Sequence, residues 1–202
     1  MEQNRLNQQM DFIVEMDKTK QITRQTYLAD GSRKENDAEH AWHLAIMAYL
    51  LREYSNQEID ITKTMVMVLI HDLVEIDAGD TYAYDAIGNL DKREREVKAA
   101  NRIFPLLPSD QAEELRALWE EFEENQTPEA KFAHTLDHVQ PLLLNDASDG
   151  KSWREHQVTL DKILTRNQST KEGSALLWDY AKECIDKNVE KGNIQLVNIE
   201  KE

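Results

Sequence analysis

The run Met65-Val66-Met67-Val68-Leu69-Ile70 leads without a spacer into His71-Asp72. Six apolar side chains in succession belong in a buried element. Whatever buries the run also takes an imidazole and a carboxylate out of water. That is costly unless both are paired or bind a metal. A His-Asp dipeptide arises by chance in many chains, so its meaning depends on partner ligands elsewhere.

The segments around the run read as helices. Thr62, Met65 and Leu69 have helical spacing, and Ile59–Ile76 is too long for a typical strand despite its β-branched residues. Gly79 ends that helix. Helical spacing also predicts helices over Asn4–Gln21, Ala38–Tyr54 with Asp37 as N-cap, Asn89–Leu107, Ser109–Glu124 and Thr127–Asn145. Two more are expected near Ser152–Thr165 and Ser169–Asn188. Thr23–Asn36 breaks the period around a turn signal at Asp30-Gly31-Ser32, and Asp80–Gly88 reads as a loop. No segment reads convincingly as a strand. Six Gly and four Pro in 202 residues argue against sandwiches and barrels with many tight turns. The expected fold is all-α, seven or eight helices in one domain over 1–202, with a core at about 15–150, C-terminal helices over 151–190 and a frayed tail from 191.

A net charge of −15 opposes nucleic-acid polymers and anionic membranes as partners, though a small anionic substrate remains compatible if local cations offset the field. One cysteine, Cys184, excludes an intramolecular disulfide and suits a reducing cytoplasm. Met1–Arg5 carries no apolar stretch of a signal peptide, and no uncharged run approaches the roughly 18 residues of a membrane span.

Partner ligands for His71-Asp72 do occur. His40 lies in the first turn of one expected helix, and Asp137 lies inside another, mostly apolar one. Two imidazoles and two carboxylates form a mixed nitrogen–oxygen set. It suits a divalent ion with open positions (Mn, Co, Fe or Ni rather than Zn, with Mg admissible) more than a closed structural zinc site. Glu75 lies one helical turn after His71, where a carboxylate can act as general acid and base.

Arg33–His40, His71–Asp80 and Glu129–Asp137 together resemble the HD-domain phosphohydrolases, and within them the 5'-deoxynucleotidase-like branch, over roughly residues 15–150. The resemblance implies metal ligation by His40, His71, Asp72 and Asp137. It implies catalytic roles for Glu75 and Asp80, with Asp80 and Thr81 near the substrate sugar and Arg24 on the substrate phosphate. A Trp commonly follows that Arg in the branch, whereas here the next residue is Gln25, so deoxyribose and ribose are not distinguished. Arg33 is a second candidate for the phosphate.

The implied enzyme is a cytoplasmic, homodimeric phosphomonoester hydrolase acting on (deoxy)nucleoside 5'-monophosphates through a metal-bound hydroxide. Two alternatives stay open: hydrolysis of another phosphoester (nucleoside triphosphate, cyclic nucleotide or sugar phosphate), and a non-catalytic metal- or nucleotide-binding regulator. Simpler readings cover other residues. His43 and His134 read as supporting or surface groups, His138 and His156 as solvated, and Asp91–Glu96 as a solvated helix face. Trp119 and Phe122 read as core or dimer contacts, Asp77 as a helix-end residue, and Tyr82 and Tyr84 more as loop tyrosines than as pocket walls.

Overall fold

The computed structural model describes residues 2–85 and 87–196. Met1, Ala86 of the expected loop and 197–202 of the expected tail lie outside the described residues. The helices are α1 (Glu2–Met16), α2 (Asp37–Leu51), α3 (Ile61–Ile70), α4 (Glu75–Ala78), α5 (Lys92–Ile103), α6 (Ser109–Glu124), α7 (Pro128–Ala147), α8 (Lys151–Glu155), α9 (Leu160–Asn167), α10 (Thr170–Gly173) and α11 (Ala175–Glu190). The protein is all-α in class. Among the described residues, nine helices have five residues or more, against the seven or eight expected.

The extra elements come from breaks that the periodicity hides. The expected helix over Ser152–Thr165 is interrupted near Gln157, whose φ of +50° is left-handed. The one over Ser169–Asn188 is split at Ser174, whose Oγ caps α11 by accepting from Leu177 N–H at 3.2 Å. Ile59–Ile76 is likewise not continuous. α3 ends at Ile70, a turn follows, and Glu75–Ala78 forms one further turn of helix. Gly79, at φ +76°, then terminates the segment as expected.

A two-stranded antiparallel sheet, unexpected from the sequence, occupies Thr23–Asn36. β1 (Thr23–Tyr27) pairs with β2 (Lys34–Asn36) in the register Thr23↔Asn36 and Tyr27↔Lys34. Its turn is the one the sequence signalled. Asp30 Oδ1 accepts from Ser32 N–H at 2.9 Å, and Gly31 takes φ +67°. The threonines and tyrosine beside that turn are strand formers, but the strands are too short for alternation to show.

The long helix α7 packs against α2, α3, α6, α10 and α11. Its Phe132, Leu136 and Val139 join Leu44, Met67, Val68, Trp153 and Ile185 in one apolar cluster. A second cluster gathers Phe12, Ile70, Leu73, Val74, Ile103, Phe104 and Trp119. The apolar run of α3 supplies residues to both, so His71-Asp72 lies where the two clusters meet. At the C-terminal end, Ile194 is buried and Leu160 N–H donates to the Gln195 carbonyl at 2.9 Å, so residues 194 and 195 are packed. No helix among the described residues is long and apolar enough to cross a membrane.

Candidate metal centre

Three helices, α2, α3 with the turn after it, and α7, deliver the predicted ligands to one place. At the start of α2, Asn36 Oδ1 accepts from Glu39 N–H at 2.9 Å while Glu39 Oε2 accepts from Asn36 N–H at 3.1 Å. Asn36, not Asp37, is therefore the N-cap. Asp37 is left in the first turn, buried, with both carboxylate oxygens lacking a hydrogen-bond donor. His40 follows one turn on and is fully buried.

At the end of α3, His71 Nδ1–H donates to the Val68 carbonyl at 2.8 Å, which fixes the tautomer and presents Nε2 to the site. The tight turn after Ile70 then brings Glu75 alongside. From α7, Asp137 Oδ1 lies 3.0 Å from His40 Nε2 and 3.8 Å from His71 Nε2. Asp72 Oδ2 lies 3.1 Å from His71 Nε2 and 4.0 Å from His40 Nε2. Asp37, Asp72 and Glu75 bring carboxylate oxygens within 4.8 Å of one another.

Arg24, on β1, inserts among these acids. Its guanidinium donates to Asp72 Oδ2 at 2.5 Å and lies 3.5 Å from Asp37, 3.7 Å from Glu35 and 4.0 Å from Asp137. Burial alone would favour a neutral guanidine, but Asp72, Glu75, Asp137 and Asp37 hold it firmly charged. The acids respond unequally. Burial, with the neighbouring Asp72 charge, pushes Asp37 up to about 7 and raises Glu75 well above the ordinary carboxylate range. Burial also opposes ionisation of Asp72, yet the His71 and Arg24 charges outweigh it and keep Asp72 ionised. For His71 the desolvation penalty is overcome by Asp72 and Asp137, so its proton is held more tightly than usual.

The donor set fits a divalent cation. His71 Nε2 is buried without a hydrogen-bond partner although Asp72 stands beside it, and Glu75 Oε2 is similarly unpartnered. Glu35, Asp37, Asp72, Glu75, Asp80 and Asp137 also outnumber the nearby Arg24, Lys92 and Arg166. A bound ion would draw these carboxylates in as ligands in place of the protons and Arg24 that otherwise hold them.

A cavity opens beside the cluster, lined by Arg24, Asp72, Glu75, Asp80, Thr81 and Asp137 among others. The structure thus brings together His40, His71, Asp72, Asp137, Glu75, Asp80, Thr81 and Arg24, but not Arg33. Thr81 Oγ1 is engaged, accepting from Arg95 Nη2 at 3.0 Å. Gln25 is in the wall, its Oε1 accepting from Lys34 Nζ at 2.7 Å. Arg33 is exposed and pairs with Glu39 at 2.5 Å, so it does not reach the cavity.

Several simpler readings need correction. Within Asp91–Glu96, Lys92 lines the cavity, Glu96 is buried, and Arg95 ties the loop down through the Gly88 carbonyl at 2.9 Å. That face of α5 packs toward α4 instead of toward water. His138 is not solvated either. It lines the cavity 3.2 Å from Thr170 Oγ1, and burial followed by the Arg166 charge depresses it to about 3. Tyr82 and Tyr84 form part of the cavity wall, with ring centroids 5.2 Å apart.

Other readings hold. His134 Nε2–H donates to the Phe122 carbonyl at 2.8 Å, and His43 lies 3.3 Å from Gln140, so each supports the surroundings. Trp119 and Phe122 are core, and Asp77 pairs with Arg102 at the surface. The sequence reading missed Lys92 and Arg166 as cavity cations. Lys92 is masked by alternating charge, and Arg166 lies beyond the segment carrying the resemblance.

The family model of the HD domain matches residues 16–178. The chain belongs to the HD domain family. A crystal structure of a predicted metal-dependent phosphohydrolase from Magnetospirillum magnetotacticum MS-1 is 50% identical, with a TM-score of 0.90 over 94% of this chain and 95% of that one. A human 5'-deoxynucleotidase is 33% identical over 111 residues, covering 55% of this HD-domain chain and 53% of the human protein. A Schizosaccharomyces pombe 5'-deoxynucleotidase is 29% identical over 136 residues, 65% of this chain and 67% of that protein. The matched region thus spans about half the length of the human relative.

Proposed function

We propose that this HD-domain protein is a metal-dependent phosphomonoester hydrolase acting on (deoxy)nucleoside 5'-monophosphates. The observation that carries the reading is the convergence of His40, His71, Asp72 and Asp137, with Glu75 and a cavity beside them. The 5'-deoxynucleotidase and phosphohydrolase relatives support it. These four residues would hold one divalent ion, with Mn, Co, Fe or Ni favoured over Zn and Mg admissible. When bound, such an ion supplies Lewis-acid activation of water and of a phosphoryl oxygen.

The chain's own groups do the rest. Arg24 holds the phosphate through its planar fork of donors. Lys92 adds positive charge on the cavity wall. Glu75 holds its proton more tightly than an ordinary carboxylate, because burial and then the Asp72 charge disfavour ionisation, and Oε2, which no protein group engages, would pass that proton to the leaving 5'-oxygen. Asp80 and Thr81 stand where the sugar would lie. We read residues 1–202 as one HD domain, C-terminal helices included, working in the cytoplasm without nucleic-acid polymer or membrane partners. A homodimer is proposed on the outward stripe Trp42, Ile46, Tyr49 and Leu50 of α2, and sedimentation at twice 23.5 kDa checks it.

Gln25 favours a second reading. Its tie to Lys34 puts an amide in the wall, so another phosphoester could be the substrate. A phosphate-release screen across nucleoside monophosphates, triphosphates, cyclic nucleotides and sugar phosphates with Mn and Co separates the two. Release from monophosphates at least about 100-fold above a His71→Ala control is expected. No release above that control from any monophosphate would sink the proposal.

A further inference from the structure

Two asparagines stand in the cavity wall beside the residues already described. Asn145 on α7 and Asn167 on α9 both line the cavity, and only 5% and 1% of their surfaces are exposed. Each amide has its orientation set by a backbone carbonyl of its own helix. Asn145 Nδ2 donates to Pro141 O at 2.9 Å, and Asn167 Nδ2 donates to Ile163 O at 2.8 Å. The two Oδ1 atoms are left buried with no donor from the protein. Buried acceptors are ordinarily paired, so two of them in one cavity wall point to a ligand that brings donors.

Their placement relates them to the reacting end. Asp137, Pro141 and Asn145 lie four residues apart on one face of α7, and all three line the cavity. Asn145 is therefore roughly 12 Å along the helix from the metal ligand. On α9, Arg166 precedes Asn167 and stands 3.8 Å from Asp137 Oδ2, so α9 also reaches from the ligands to the asparagine end. Phosphate oxygens are acceptors and gain nothing from amide oxygens. The phosphate end is accordingly the one with Arg24, and the asparagine end must take something else.

We propose that Asn145 and Asn167 form a nucleoside-recognition subsite, their amide oxygens accepting hydrogen bonds from an amino or hydroxyl group of the nucleoside. This rests on the nucleotidase reading above and extends it to the substrate's distal half. The subsite is contributed in part by α9, which lies outside the segments that carry the chemistry. Both asparagines are positioning residues that touch only the non-reacting part of the substrate.

The test is calorimetric titration of the Mn-loaded full chain with deoxycytidine, thymidine, cytidine and inorganic phosphate. Wild type should bind nucleosides, and Asn145→Leu and Asn167→Leu should each weaken that binding about tenfold while leaving inorganic phosphate unchanged. A loss confined to amino-bearing deoxycytidine identifies the base as donor, and a loss larger for cytidine identifies the sugar hydroxyl. Both outcomes support the subsite. Should either leucine variant fail to fold, Asn145→Ser and Asn167→Ser carry the same expectations. The inference is overturned if wild type binds no nucleoside, if the variants bind nucleosides normally, or if nucleoside and phosphate binding fall together. Intact nucleoside binding without phosphate release from any monophosphate would instead reject the nucleotidase reading.

Discussion

Three carboxylates, buried Asp37 and Glu75 and part-buried Asp72, share one small region with Arg24, and they cannot all ionise freely without further positive charge. Burial first, and that competition second, make Glu75 hold its proton more tightly than an ordinary carboxylate. Glu75→Gln keeps the shape and removes the titration. The expected outcome is a fall in kcat of about 10²–10⁴ with metal content unchanged, measured by steady-state kinetics alongside elemental analysis. Loss of the metal together with the activity would instead place Glu75 among the ligands. At this scale the sequence was informative about ligands and poor about neighbours. His40, His71, Asp72 and Asp137 stand out because unpaired imidazoles and acids are costly in apolar helices. Lys92 and His138 do not stand out, because a Lys in a charged run and a His beside an acid look alike whether they face water or a cavity.

At the scale of elements, short breaks decide the site. α3 stops at Ile70, and the turn that follows sets His71, Asp72 and Glu75 toward one another. Helical periodicity read through that break because the apolar spacing continues across it. The C-terminal helices depend on close approach as well as on apolar burial. Gly173 in α10 lies against α7 so closely that a Cβ would stand 2.2 Å from the Lys131 carbonyl oxygen and 2.4 Å from Thr135 Oγ1. Gly173→Ala is expected to destabilise the protein by about 1–3 kcal/mol, the range of overpacking, read as a lower urea midpoint at unchanged slope. Because α9 and α10 are neighbours in the chain, the same variant should also weaken nucleoside binding.

For the whole molecule, the acids crowded at the centre are held in the apo protein by Arg24 and by protons on Glu75, His40 and His71, a role that a bound ion would take over. Adding Mn at about 100 times its Kd should stabilise the fold by roughly 2.7 kcal/mol, and chelation should reverse the gain, both read as shifts in Tm. The shift should shrink as pH falls, because His40 and His71 must be neutral to ligate and both hold their protons more tightly than usual. A Tm indifferent to Mn and chelator at neutral pH would argue against the centre. The helical class, most of the helix-bearing segments and the identities of the candidate ligands were legible along the chain, since propensity, periodicity and the cost of burying polar groups act locally. The hairpin that carries Arg24 into the acids, the turn after α3, and the placing of Asn145 and Asn167 in one cavity wall emerge at the tertiary level. The hairpin contacts and the cavity wall join residues far apart in the chain, and packing around α3 sets where its helix breaks, so selection lies between elements and not along one.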